Sequence, residues 1–150
     1  MPTERFNGVI ASWQTDWALF AAHVAALHNS GKTDAEISAL LAGRQVCWRG
    51  RIIRLGFDRE YARGPQLEMP EVRCPLASGK VLVANFLAVS TEPMDEKTWQ
   101  HCAANDSVSF QATTASTIGL FPAIRVSYDS AGNEAVLVTS VDSGRVATTS

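Results

Sequence analysis

The sequence predicts an α+β protein: two N-terminal helices packed on a small five- or six-stranded β-barrel, with one further helix inserted among the strands. Three observations carry this. Apolar residues recur at spacings of three and four before residue 43, and mostly at period two after it. The change falls in one stretch, RQVCWRGRIIRLGF, from Arg44 to Phe57. The chain is 150 residues long with 46% hydrophobic and 19% charged side chains, enough to enclose one core and unlike a disordered chain in composition. The expected division is a helical extension over 1–43, a barrel over 44–141 and a flexible tail over 142–150.

Residues 8–28 read as one long helix. Ile10, Trp13, Trp17, Phe20, Val24 and Leu27 share one side of it, and alanines fill much of the rest. Asn29-Ser30-Gly31 stops it, with Gly31 suited to a left-handed closing residue. The Trp13/Trp17 pair has two readings: core packing, or a seam for a second copy that would make a homodimer. A shorter helix follows, with Thr33 as N-cap and Glu36 at the capping-box spacing. TDAEISALLAG is similar to the first helix of a helix-turn-helix unit, but the β-branched and aromatic residues from Val46 to Phe57 do not form a recognition helix.

Val46, Trp48 and Gly50 then alternate with Cys47, Arg49 and Arg51, the period of a strand. Ile52-Ile53 breaks the alternation, and a bulge at Gly50 would place Ile53, Leu55 and Phe57 inward and Arg49, Arg51 and Arg54 together outside. Leu67 to Cys74 reads as a strand limited by Pro70 and Pro75 to an edge or to two short pieces. Val81 to Val89 is apolar on both faces and therefore central, with Asn85 a satisfied core amide or a ligand-binding one. Pro93 to Ala104 reads as the inserted helix. Strands are expected at Val108–Ala112, at Ile124–Tyr128 and at Ala135–Val141.

The net charge is −2, which argues against coating nucleic acid by charge alone. It is unevenly spread: residues 44–80 hold eight Lys/Arg against four Asp/Glu, and the rest five against eleven, so a +4 segment sits on a −6 body. Cys47, Cys74 and Cys102 are too few for a disulfide framework. The N-terminal residues do not read as a signal peptide or anchor, and no run approaches the roughly 18 apolar residues of a membrane helix, so the expected location is cytoplasmic.

Two segments carry a family resemblance. VCWRGRI resembles the first strand of an OB-fold, which often bends at a glycine, and TWQHCAANDSVSFQAT resembles the helix end, turn and fourth strand of bacterial OB domains related to tRNA-anticodon-binding modules. A helix between the third and fourth strands of a small barrel is also the OB order. The resemblance covers residues 44 to about 140 and leaves out the two N-terminal helices and the extra strand. It implies a binding module for oligonucleotides, oligosaccharides or proteins.

The candidate site is the basic stretch. Arg49, Arg51, Arg54, Arg59, Arg63 and Arg73 are interleaved with Trp48, Phe57 and Tyr61, and charge beside aromatic platforms is how single-stranded nucleic acid is held. On this reading Arg49, Arg51 and Arg54 contact phosphates while Trp48 or Tyr61 stacks. The alternative occupant is an acidic protein surface, with the protein acting as a regulator or inhibitor of the immunity or anti-defence type. The third reading is a solvated strand edge, its arginines paired with Asp58, Glu60, Glu68 and Glu71. No G-x-S-x-G, H-E-x-x-H or phosphate-binding loop frames a catalytic group, so no enzyme activity and no cofactor are expected. His101-Cys102 with Cys74 and Cys47 fits no metal-ligand spacing.

Overall fold

A computed structural model describes residues 12–56, 64–91, 93–128 and 132–146. The expected first helix is interrupted within them. A 3-10 turn, Ser12–Gln14, precedes helix α1, Trp17–Asn29, and Asp16 stands between as N-cap, its side chain accepting from Leu19 N at 3.2 Å. Aspartate competes for backbone donors and so favours a helix start over its interior. The exit is as expected: Gly31 sits at φ 95°, Gly31 N donates to His28 O and Lys32 N to Leu27 O, the paired closing bonds of a Schellman turn. Helix α2, Asp34–Leu41, starts on the full capping box, with Thr33 N donating to Glu36 Oε1 at 2.9 Å and Glu36 N to Thr33 Oγ1 at 3.1 Å.

Trp13, Trp17, Phe20 and Val24 are buried within the chain, so this part of the apolar stripe is spent on the protein's own core. Trp17 Nε1 donates to Ala84 O in the sheet. Trp48 Nε1 donates to Trp13 O, and the Trp48 ring lies 5.2 Å from that of Trp17 and 4.8 Å from Phe20.

The barrel strands are β1 (Gln45–Arg54), β2 (Gln66–Pro75), β3 (Val81–Val89), β4 (Ser107–Thr114) and β8 (Glu134–Val146), with helix α3 (Pro93–Trp99) inserted between β3 and β4. They close in the ring β1-β2-β3-β8-β4-β1, antiparallel except for the parallel β3–β8 pair. This is an OB-like barrel with two helices before it and one within it. Between β4 and β8 lie a two-stranded hairpin, β5 (Thr117–Ile118) with β6 (Phe121–Pro122), and strand β7 (Ile124–Tyr128), which pairs with the first half of β8 as a sixth strand.

Several expectations change. Alternation in β1 runs unbroken through Ile52, which is fully buried, while Ile53 is 44% exposed. Gly50 faces inward, where a Cβ would lie 2.7 Å from Met69 Sδ, so its role is close packing against β2. The register shift falls between Ile52 and Arg54 instead, because Ile52 is held by Asp106 O and Asn105 N across the β4 side. Arg54 still points outward. β2 is one strand, but its pairing with β3 breaks between Glu68 and Val72, around Pro70, which lacks a donor.

Asn85 is half-buried and donates to Glu71 Oε1, so it is an outer-face amide. Helix α3 ends at Trp99, which is fully buried and donates to Gly144 O. β8 continues past Val141 to Val146, and that extra length pairs with β4 to close the ring. Gly144 reads as loop in the sequence, yet it is buried against β3, where a Cβ would stand 2.0 Å from Val89 Cγ1.

Candidate binding groove

Of the residues expected to form a basic site, Trp48 is the clearest correction. It is 2% exposed and forms part of the aromatic core, so it cannot stack on a ligand. Strand parity forces this, since Trp48 shares its face with Val46 and Ile52. Tyr61, Arg63, Arg59 and Phe57 lie outside the described residues. Arg51 is half-buried and committed: Nε and Nη2 bond Glu68 Oε1, and Nη1 bonds Asn105 Oδ1 at 2.5 Å. Arg73 pairs with Glu71 and with Glu134, bonds that hold its guanidinium, Glu134 foremost, still more firmly protonated than usual. Arg49 and Arg54 are exposed and make no ion pair with a described residue. The outer face of β1 and β2 is therefore a charge-compensated surface from which two arginines project.

A second surface has the opposite character. A groove of about 660 Å³ lies between the start of β2, the outer faces of β3 and β8, and the β5–β6 hairpin. Phe86 and Ala88 of β3 and Val138 and Ser140 of β8 line it, all half-buried. One wall is the hairpin, with Ile118, Leu120 and Phe121. Leu120 is 95% exposed and Phe121 61% exposed. The hairpin turns at Gly119, φ 63°, a conformation that glycine adopts without strain. Its base is fixed by Ala123 N to Ser116 O and Ser140 N to Ala123 O.

Behind it, α2 secures the outer edge of β7. Buried Ser38 Oγ donates to Ile124 O and accepts from Ile124 N, and Asp34 accepts from Val126 N. Side chains of a helix thus stand in for a further strand, and this edge is closed to pairing.

Arg125 is the one charged residue among the described residues lining the groove. It faces Val138 across the β7–β8 ladder and holds its guanidinium 5.5 Å from the Phe121 ring centre. This is cation–π distance. No described carboxylate pairs with it.

The sequence reading missed Phe86, Ile118, Leu120, Phe121 and Arg125. Two signals were present. VLVANFLAV is apolar on both faces, so part of its apolar surface lies outside the barrel. TIGLFP places a leucine and a phenylalanine at a glycine turn, where polar residues are usual.

Nothing among the described residues forms a group of three or more metal-ligating side chains. Burial pushes the Cys74 thiol up, and burial with the nearby Asp106 does the same for Cys102, which keeps both protonated near neutrality. No helix of the described residues is long and apolar enough to cross a membrane. Comparison of the chain with protein-family models, curated proteins and solved structures gave no match.

Proposed function

We propose that the protein is a non-catalytic binding module that holds an apolar segment of a protein partner in the groove between β3, β8 and the β5–β6 hairpin, and so acts as a regulator or inhibitor of that partner. One observation carries the reading. Leu120 and Phe121 are offered to solvent on a short, well-tied hairpin that overhangs an apolar floor. A side chain of this size left in water forgoes about 1.5–3 kcal/mol of burial. Two together beside an open groove are the pattern of an interaction surface.

OB-folds commonly bind on the face of strands two and three and at the loops after strands one and four, and this groove takes in part of that region: the start of β2, the outer face of β3 and the connection after β4. The occupant favoured by its chemistry is a protein, because its described lining is mainly apolar with a single cation. Binding of nucleic acid draws on many neutralised phosphates at once.

Single-stranded nucleic acid is the second reading. Arg49 and Arg54 favour it, exposed and without a described ion-pair partner, as does the resemblance to anticodon-binding modules. Capture from host lysate separates the two when three proteins are compared. A partner retained by wild type and by an Arg49→Ala/Arg54→Ala variant, but lost by Leu120→Asp/Phe121→Ser, is the expected result. Binding of labelled oligothymidylate that needs Arg49 and Arg54 and collapses between low and physiological salt would transfer the function to nucleic acid.

A further inference from the structure

We infer that the Arg125–Phe121 pair reads a carboxylate next to an apolar side chain, so that the groove selects a protein segment in which an acidic group adjoins an aromatic or large aliphatic residue. This rests on the groove being the binding site and adds the chemistry of its ligand.

Three observations lead there. The described groove lining holds one charge, Arg125, and no acid. Elsewhere, Arg51 and Arg73 both bond carboxylates of their own chain, whereas Arg125 meets none among the described residues. Its position is set by the register, opposite Val138 of the groove floor, and by the Phe121 ring 5.5 Å from the guanidinium carbon. A ligand that fills the apolar floor must therefore strip water from one side of a guanidinium.

That desolvation is unfavourable unless the ligand supplies an acceptor, and a carboxylate supplies two oxygens matched to the guanidinium fork. Phe121 covers part of the cation's apolar periphery and leaves the N–H groups for the ligand. Gln66 and Ser140, uncharged polar residues of the lining, suit the peptide groups on either side. A nucleic acid would bring one phosphate per nucleotide against this single cation, which is why a protein acid is the better match.

The test is a titration of the full 15N-labelled chain followed by amide correlation spectra. The probes are N-acetyl-L-phenylalanine and its neutral amide, which differ only in the carboxylate. The acid is expected to shift the Gly119, Arg125 and Ser140 resonances with an affinity on the order of millimolar, typical of a fragment. The amide should need roughly fivefold more, the usual advantage of a charge-assisted hydrogen bond over a neutral one. Arg125→Gln should bring the two probes level with the fold intact, as read from unchanged dispersion. Phe121→Ala should weaken both.

Equal binding of acid and amide to the wild-type groove overturns this inference and leaves the groove reading standing. Failure of both probes to shift any groove resonance overturns both. Oligothymidylate shifting the same resonances at lower concentration than the acid replaces the protein ligand with nucleic acid.

Discussion

On the outer face of β1 and β2, Arg51 and Arg73 find their counter-ions within the chain, in Glu68, Glu71 and Glu134. On the surface formed by β3, β7, β8 and the β5–β6 hairpin, Leu120 and Phe121 of the hairpin and Arg125 of β7 face outward with no such closure among the described residues. The first surface is rich in charge, and among the described residues Arg51 and Arg73 are paired while Arg49 and Arg54 project unpaired. The second is poor in charge and unsatisfied in both apolar area and electrostatics. Charge density in a sequence is therefore a poor guide to where this protein binds; the deficit left after folding is a better one, because a partner gains free energy only from groups the fold has not already paired.

The sharpest way to separate these surfaces from the core is at Trp48. As a stacking platform it would be dispensable for stability. As the centre of the Trp17–Phe20–Phe110 aromatic cluster it is not. Trp48→Ala should cost about 3–5 kcal/mol in denaturant unfolding, the range for emptying a large buried aromatic. A loss under about 1 kcal/mol would return Trp48 to the surface and restore the sequence-based site.

Next in size is the support behind the groove. Ser38→Ala removes both hydrogen bonds to Ile124 and leaves a buried N–H and C=O without partners. The expected cost is about 1–3 kcal/mol. It should appear first as faster amide exchange in β7 and the hairpin, with β1 and β2 little changed. Uniform destabilisation across the barrel would show that α2 and β7 are not a separable support.

The helical half was largely legible because its signals are local. Thr33 with Glu36, Gly31, and the three-and-four spacing each act within one or two turns. The barrel's existence was legible for the same reason, through strand alternation. What escaped depends on partners far along the chain. Ile52 and Ile53 are alike as residues, and where the alternation breaks is decided with the help of Asn105 and Asp106, whose backbone holds Ile52 in register. Gly144 looks like a loop until Val89 is set against it. Arg51 and Arg73 look as available as Arg49 and Arg54 until Glu68 and Glu134, 17 and 61 residues away, are folded onto them. Conversely, that Leu120 and Phe121 stand exposed over a groove becomes visible only once β3 and β8 are set beside the hairpin.

The arginine face then allows a finer comparison. Arg51→Ala should cost only about 0.5–1 kcal/mol, since its ion pair is half exposed, at 42% for Arg51 and 50% for Glu68, and water screens it. Arg49→Ala should fall within about 0.5 kcal/mol of wild type, as should Leu120→Asp/Phe121→Ser, which removes only exposed groups. Thermal unfolding of these three variants beside wild type and Ser38→Ala decides this. A hairpin variant that unfolds as readily as Ser38→Ala would mean that Leu120 and Phe121 serve the fold, and the groove would lose its claim as the open surface.

The smallest effect concerns a carboxylate that the backbone answers. Glu36 is held below the usual carboxylate range, chiefly by the Thr33 backbone N–H and then by the Thr33 hydroxyl. A depressed pKa means the folded state favours the ionised form, so this contribution is fully present above the unfolded pKa of Glu36 and is lost as pH falls through the lower, folded one. The window is acidic, and the group is fully exposed, so global stability should barely respond. The response should be local: on acidification amide protection, taken relative to the intrinsic exchange rate at each pH, falls in the first turn of α2, then at Val126, which that turn holds through Asp34. Glu36→Gln keeps a side-chain acceptor for the Thr33 N–H and should flatten the Glu36 step without unfolding α2. If acid loosens β1 and β2 before α2 and β7, the satisfied face is the weaker of the two, and the contrast between the surfaces reverses.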